Sequence, residues 1–349
     1  MRAYARLLPA VALTLALQAG PRPADAADNS ADPDRPGVGP QYDSAHVYLT
    51  PTDMQPFIKS FIATFGGQAG APSSTTVTPT PSGASFVLVR TPVGPLSVLA
   101  FTTPIPYPFG SERVGYLVKD LDAAVAAAVA AGAGVVVAPF ADPIGRDAIV
   151  QWPGGVTMQF YWHNVATSAP PLATIPENRV YVSREKADAF VGSFLRFSKG
   201  EVISDSRAAD GIEIGRPGET FRRVRIASGF GRLTALVTDG HLPFPFGREM
   251  YGYEVADLAA TLAKATAAGA TMLVDPFTSD GREAAMVQFP GGYIAEIHTV
   301  SPPKTAAPRD SFSAADQRLL AGLVDAVEDL LGLGVGNAIG VVFSDPFHC

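Results

Sequence analysis

The chain has 349 residues, of which 47% are hydrophobic and 17% charged, with a formal net charge of -7. This composition is typical of a globular, mildly acidic protein, and the length suffices for two domains that each bury a core. It excludes a nucleic-acid binder, because no cluster of Lys and Arg is present to neutralise phosphates. An internal disulfide is also excluded, because the single cysteine is Cys349.

The first residues have the pattern of an export signal. Two arginines near the start supply positive charge, residues 7–17 form an apolar run too short to span a bilayer, and residues 24–26 (Ala-Asp-Ala) suit a signal peptidase. We therefore expect residues 1–26 to be a signal peptide and the mature protein to be periplasmic or secreted, without a transmembrane segment. Residues 27–44 are rich in Asp, Pro and Gly and predict a disordered linker.

Several short patterns recur in the chain at a constant distance. Pro-Tyr-Pro-Phe-Gly at 106–110 returns as Pro-Phe-Pro-Phe-Gly at 243–247, and Gln-Trp-Pro-Gly-Gly at 151–155 returns as Gln-Phe-Pro-Gly-Gly at 288–292, both 137 positions later. Ordered matches of this kind indicate a tandem duplication. The predicted domains are residues 45–165 and 179–301, with a linker at 166–178 between them.

Each copy contains two rounds of one pattern, a strand followed by a helix and three more strands. In the first round, residues 46–50 alternate like a strand, and Phe57, Ile58, Phe61, Ile62 and Phe65 form the apolar face of a helix. Each copy's second round contains an Ala-rich helix closed by glycine. The pattern predicts an α+β protein of four βαβββ modules.

The tail at 302–349 predicts one further helix. Ser313 and Asp316 form its start, and leucines and valines between 319 and 331 fall on one stripe. This stripe is expected to pack on the core or on a second subunit, which would give a homo-oligomer.

The module pattern resembles the vicinal-oxygen-chelate (VOC) family of glyoxalase, fosfomycin-resistance and extradiol-dioxygenase domains. The resemblance rests on the strand order, the V-x-D-L start of each Ala-rich helix, the glycine after it, and the Pro-Gly-Gly turn into the last strand. It spans 45–163 and 179–299. It implies two VOC-type domains in which paired modules enclose a cavity for a small oxygenated molecule, where a divalent metal (Fe, Mn, Zn or Ni) commonly chelates the substrate.

The resemblance also implies where metal donors would stand. One donor lies on the first strand of a module, seven residues before the Asp that begins the helix, and another, usually Glu, lies near the middle of the last strand. His46 and Glu296 meet these rules. His298 shares the strand face of Glu296 by two-residue alternation, and His241 on a nearby loop is a further candidate. The corresponding positions elsewhere hold Arg113, Arg179, Met250 and Gln159, which are not orthodox donors.

Two module pairings remain open. Pairing in sequence order leaves neither domain with a credible metal site. Pairing of the first module with the fourth would place His46 and Glu296 in one cavity and gather Arg113, Arg179 and Gln159 in the other. We take the second arrangement as the sharper hypothesis.

Other polar side chains are candidates for contact with a substrate. Arg113 and Arg179 could hold a carboxylate or phosphate, with structural salt bridges as the alternative. Tyr48, Tyr181 and Tyr161 could hydrogen-bond or stack on a ligand, with ordinary core packing as the alternative. Gln159 completes this set, whereas His163 is expected at the surface.

Two functions are compatible with these residues. The resemblance favours a metal-dependent enzyme of the lyase, isomerase or dioxygenase type, with Glu296 as ligand or base. The alternative is a metal-free protein that binds a small molecule in a cavity whose donors have been lost. The Arg, Met and Gln at donor positions support this alternative.

Overall fold

The computed structural model describes residues 35–299, apart from the side chain of Thr75. The predicted signal peptide and C-terminal helix lie outside the described residues. Within them, no helix is long and apolar enough to cross a bilayer. The end of the predicted linker lies on the sheet, because the N–H of Val38 donates to the carbonyl of Leu117 at 3.0 Å and the N–H of Lys119 donates to that of Pro36 at 2.9 Å.

The helices are α1 (Met54–Phe65), α2 (Leu121–Ala130), α3 (Arg184–Ser198) and α4 (Leu258–Ala267). The first nine strands are β1 (Ser44–Leu49), β2 (Gln68–Ala69), β3 (Ser73–Thr75), β4 (Ala84–Thr91), β5 (Gly94–Phe101), β6 (Val114–Leu117), β7 (Gly134–Ala141), β8 (Gly145–Gln151) and β9 (Thr157–His163). The others are β10 (Glu177–Val182), β11 (Glu201–Asp210), β12 (Thr220–Ser228), β13 (Gly231–Val237), β14 (Met250–Val255), β15 (Thr271–Ser279), β16 (Arg282–Gln288) and β17 (Ile294–Thr299). A short 3-10 helix, Gly211–Ile214, follows β11.

These strands form two curled mixed sheets, so the protein is of the α+β class. The order in the first sheet is β2-β4-β5-β1-β6-β9-β8-β7, with β3 paired to β4, and the order in the second is β11-β12-β13-β10-β14-β17-β16-β15. In the first sheet, β1 pairs in parallel with β5 and antiparallel with β6. In the second sheet, β10 pairs in parallel with β13 and antiparallel with β14. The two sheets therefore share one topology.

The favoured pairing of the first module with the fourth is wrong for the strands. β1 is hydrogen-bonded to β6, with Ser44 opposite Gly115, and β10 to β14, with Asn178 opposite Tyr251. The short connections between β5 and β6 and between β13 and β14 bring sequence neighbours together, as short connections usually do. Contact between distant parts of the chain is made by the helices instead, since α1 packs on α4 and α2 packs on α3.

The aspartates of the V-x-D-L patterns begin the Ala-rich helices as N-caps. Asp120 accepts a hydrogen bond from the N–H of Ala123 at 2.9 Å, and Asp257 accepts one from Ala260 at 2.8 Å. Each bond satisfies an amide that the helix itself leaves without a partner.

The main hydrophobic core lies between the two sheets and is shared by them. Alternate strand residues such as Ala45, Val47 and Tyr253 point into it beside the buried faces of the helices. Strand residues point alternately to the two faces, so Ser44, His46 and Tyr48 lie on the opposite face of the first sheet. We call this the helix-free face of each sheet.

Candidate ligand cavity and its charged counterpart

The helix-free face of the first sheet encloses a cavity of about 790 Å³. Its walls differ in chemistry. Strands β4 and β5 supply an apolar wall, and β8 and β9 supply a polar one. The apolar side chains are Phe86, Leu88, Leu99 and Phe101, and the polar ones are Asp147, Gln159, Tyr161 and His163. A cavity of this size with one apolar and one polar wall suits a small amphipathic molecule.

His46 lies at the centre of this face and is buried, with 5% of its surface exposed. Its Nδ1 is 3.7 Å from Oε1 of the buried Glu112, and the hydroxyl of Tyr48 donates to the same oxygen. A Cβ at Gly115 would come within 2.5 Å of the His46 Nε2, so glycine at this position leaves room for the imidazole. Glu112 thus contacts His46 and Tyr48, two of the three β1 side chains that line the cavity.

The prediction that Arg113 lines a cavity together with Arg179 and Gln159 is wrong. Arg113 is exposed and lies over the ring of Tyr48, with its guanidinium carbon 5.9 Å from the ring centroid. Gln159 belongs to the first sheet and Arg179 to the second, because the strands pair in sequence order.

Asp147 lines the cavity, although it was not among the candidate site residues predicted from the sequence. It is 4% exposed and stands on β8 opposite Tyr161. Burial and the charge of Asp142 raise its pKa to about 8, with a further contribution from Glu112, although a hydrogen bond with Gln159 acts in the other direction. Around neutral pH the carboxyl group is therefore mostly protonated and able to donate a hydrogen bond.

Two other polar side chains of the cavity are uncharged. The hydroxyl of Tyr161 donates to the carbonyl of Tyr42, and burial raises its pKa well above the usual range. His163 was expected at the surface, but it is half-buried and lines the cavity. It lies two residues after Tyr161 on β9, so both side chains point to the same face of the sheet. Burial lowers the pKa of His163, against the opposite effect of Asp142, so its imidazole is neutral near pH 7.

The helix-free face of the second sheet is filled by charged side chains. Strand register gives the correspondence, since His46 pairs with Ser97 and Phe86 with Leu99, while Arg179 pairs with Thr234 and Arg223 with Leu236. In this register, Ser44, His46, Phe86, Leu88, Gln159 and Tyr161 of the first sheet correspond to Glu177, Arg179, Arg223, Arg225, Glu296 and His298 of the second.

Arg179 is the centre of this charged network and is fully buried. It donates to Glu177 at 2.6 Å and is ion-paired with Glu296 at 2.8 Å, and Arg282 donates to the other oxygen of Glu296 at 2.8 Å. Burial alone would raise the pKa of both carboxyls, but the guanidinium groups of Arg179 and Arg282 outweigh it and hold both pKa values below the usual range. Arg179 therefore forms structural salt bridges, which was the alternative to its predicted role in binding a substrate.

A second part of the network closes the same face from the other side. Arg223 donates to the buried Glu213 and, at 2.8 Å, to Asp280. Ser279 also donates to Glu213, at 2.6 Å. Arg225 is ion-paired with Asp280 at 3.3 Å. These side chains fill the space in the second sheet that corresponds to the part of the cavity beside the apolar wall of the first sheet.

The predicted metal donors do not form one site. His46 and Glu296 lie in different sheets. Glu296 and His298 are neighbours, with His298 Nδ1 3.1 Å from Glu296 Oε1, as alternation predicted. His241 is exposed and lines a separate pocket of about 340 Å³ beside Tyr181, and its carbonyl accepts a hydrogen bond from Arg216 at 2.5 Å.

The side chains at these positions do not fit a divalent metal. In the second sheet, both oxygens of Glu296 face guanidinium groups, and Arg179 places a fixed positive charge where a cation would bind. In the first sheet, the one carboxylate oxygen that faces His46 at 3.7 Å, Oε1 of Glu112, already accepts a hydrogen bond from Tyr48. The strand neighbours Ser97 and Gln159 are weak donors for a divalent metal. No group of three His, Cys, Asp or Glu side chains that could hold a metal ion occurs within residues 35–299.

Comparison with solved structures identifies the fold. A variant of 4-hydroxymandelate synthase from Streptomyces coelicolor superimposes with a TM-score of 0.52 at 12% identity, covering 77% of this chain and 94% of that chain. A Mn(II)-bound glyoxalase from Novosphingobium aromaticivorans gives 0.47 at 12% identity, covering 77% and 84%, and a 2,3-dioxygenase from a Pseudomonas species gives 0.47 at 11%, covering 79% and 97%.

No protein-family model and no curated protein sequence matches the chain. The structural neighbours belong to the VOC superfamily. At this level of identity the likeness concerns the fold alone, and the predicted resemblance is confirmed at that level. The described part of the chain has the vicinal-oxygen-chelate fold.

Proposed function

We propose that the cavity of the first sheet binds a small, largely apolar molecule that carries a polar group, and that it does so without a divalent metal. One observation carries the proposal. The same face of the same topology is an open cavity of about 790 Å³ in the first sheet and a buried ion-pair network in the second. The N-terminal pattern supports a periplasmic or secreted location for this binding.

The chemistry of the walls supports an amphipathic ligand. Phe86, Leu88 and Phe101 offer apolar surface, and burial of apolar ligand area against them contributes roughly 25 cal/mol per Å². Gln159 and Asp147 on the opposite wall offer hydrogen-bonding groups that orient one end of the ligand. The ligand would thus lie across the sheet, with its apolar part on β4 and β5.

A tandem duplication explains the contrast between the two faces. In this proposal, both copies began with an equivalent cavity, and the second copy acquired arginines where the first has Phe86 and Leu88. Glu296 then serves the network and is a poor catalytic base, because both of its oxygens are paired with guanidinium groups that lower its pKa.

We expect the cavity to be blocked by arginine at position 86, because the equivalent position of the second sheet holds Arg223. We expect Phe86→Arg to weaken binding of the neutral fluorescent probe N-phenyl-1-naphthylamine by at least about tenfold, because a guanidinium placed on the apolar wall fills it and must be desolvated. Leu88→Trp, which fills the same wall with apolar volume, should act in the same direction. Fluorescence titration measures both affinities, and circular dichroism verifies that each variant is folded.

The matched control is Val202→Arg, which adds the same charge at an exposed position, 42% accessible, on β11 of the second sheet. This variant should bind the probe as the wild type does. Unchanged affinity in both folded cavity variants would refute the proposed site.

A further inference from the structure

We propose that the ligand of this cavity carries a positively charged nitrogen, an ammonium or quaternary ammonium group, and that the carboxyl group of Asp147 is its partner. This inference rests on the proposed function and specifies the ligand class for that site. It follows from the distribution of charge around the cavity, from a comparison with the second sheet, and from the aromatic side chains nearby.

Carboxyl groups surround the polar end of the cavity. Asp147 lies on its wall, Asp142 lines it from the loop before β8, and Glu112 lies behind His46 and Tyr48. No Lys or Arg side chain of the described residues forms an ion pair with Asp147 within 4.0 Å. The neighbouring Arg146 is turned to the exposed Asp122, at 2.7 Å.

The other side chains that face this region lie on β1, β4 and β9 and in the segment before β1. From β9 they are Gln159, Tyr161 and His163, and from β1 and the segment before it they are Tyr42, Ser44, His46 and Tyr48. Two arginines border the cavity without an ion pair to Asp147: Arg90 reaches the lining from an exposed position on β4, and the exposed Arg113 lies over the ring of Tyr48. An anionic ligand would therefore meet like charge at Asp142 and Glu112, whereas a cation would meet opposite charge.

In the buried network of the second sheet, each carboxylate has an arginine partner. Glu177, Glu213 and Glu296 each have at least one arginine within ion-pairing distance. Two of these arginines, Arg223 and Arg282, correspond to Phe86 and Gly145 in the first sheet, where no cation is present. Asp147 has no arginine at these equivalent positions, so a cation that pairs with its carboxylate would come from the ligand.

Aromatic rings supply a second kind of recognition for a cation. Tyr161 stands directly opposite Asp147 on the neighbouring strand, and Tyr48 and Phe101 line the same cavity, with their ring centroids 6.4 Å apart. A quaternary or protonated nitrogen beside a carboxylate and against aromatic faces gains from both interactions.

The ionisation of Asp147 gives binding a characteristic pH dependence. Burial raises the pKa of this carboxyl to about 8 in the free protein. A bound cation stabilises the carboxylate and lowers that pKa, so binding below pH 8 must release a proton. The affinity for a permanent cation should therefore rise about tenfold per pH unit up to roughly pH 8 and level off above it.

The test compares three probes by displacement of N-phenyl-1-naphthylamine from the full chain. They are benzyltrimethylammonium, its uncharged carbon isostere neopentylbenzene, and the anion phenylacetate. At pH 8.5 we expect the cation to bind at least about tenfold more tightly than the isostere, and the anion more weakly than both. The preference for the cation should decline as the pH is lowered to 6.

Asp147→Asn should remove the preference for the cation over neopentylbenzene and the pH dependence of that preference. Asp122→Asn, which neutralises an exposed carboxylate on α2, is the matched control and should leave both unchanged. If neopentylbenzene binds in a manner sensitive to Phe86→Arg but the cation binds no better, or if Asp147→Asn keeps the preference, this inference is wrong. If none of the probes binds, the proposed function itself fails.

Discussion

Replacing Arg179 with methionine is expected to lower the free energy of unfolding by about 3–5 kcal/mol, because it leaves two buried carboxylates with a single arginine. Arg179 has no exposed surface and pairs with Glu177 at 2.6 Å and with Glu296 at 2.8 Å. Methionine retains much of the side-chain volume, so the loss reports the charge and not a cavity. Chemical denaturation at pH 7 measures it.

Two further variants test whether the loss of stability comes from the buried ion pairs or from the removal of any positive charge. Arg146→Met removes an arginine from an exposed pair with Asp122 and should change stability little. The double replacement Arg179→Met with Glu296→Gln should recover part of the loss, because it removes one of the unpaired charges. Equal stability of wild type and Arg179→Met would show that the network contributes nothing to the fold.

The same network predicts how this stability depends on pH. The pKa values of Glu177 and Glu296 are held below their ordinary value of 4.5, so their contribution is present above that pH and is lost as the pH falls further. In Arg179→Met each of the two carboxyls loses one of its two arginine partners, so the acid-dependent part of the unfolding free energy should shrink.

Replacing Phe61 with alanine should cost about 3–5 kcal/mol, because the ring is fully buried where α1 meets the second sheet. Its centroid lies 5.1 Å from that of Phe289 and 5.4 Å from that of Tyr253, and it also contacts Phe57 and Phe65 of its own helix. The ring thus joins the two halves of the chain in one core. Loss of both halves in a single, earlier denaturation transition is the expected result.

The control for Phe61 is Phe244→Ala, which removes a ring that is 63% exposed in the Pro-Phe-Pro-Phe-Gly loop. This change should leave the midpoint nearly unaffected. Separate unfolding of the two sheets in Phe61→Ala, with the second sheet as stable as before, would contradict a shared core.

Local pattern was sufficient to predict much of the fold. The apolar stripe of Phe57, Ile58 and Phe61 became the buried face of α1, and Asp120 and Asp257 cap the Ala-rich helices. Pairing of the modules could not be read in this way, because the edges of β1 and β6 meet through backbone hydrogen bonds. Their side-chain alternation would be the same under either pairing.

The site was predictable only where strand alternation decided it. Alternation placed His298 beside Glu296. It could not reveal that Arg282 and Arg179, the latter far away in sequence, both pair with that carboxylate. Glu177 and Arg179 are two residues apart and so lie on one face of their strand, and this spacing could have predicted their ion pair. For Asp147, the sign was a carboxylate directly before the apolar run of residues 148–150.

Counting bound ligand per chain, with and without a chelator, tests the central claim most directly. Native mass spectrometry and fluorescence titration with N-phenyl-1-naphthylamine should give one bound molecule per chain, at an affinity that EDTA treatment leaves unchanged. Phe86→Arg should abolish that one site. Two bound molecules per chain, or binding that EDTA removes and Mn²⁺ restores, would contradict a single metal-free ligand site in the first sheet.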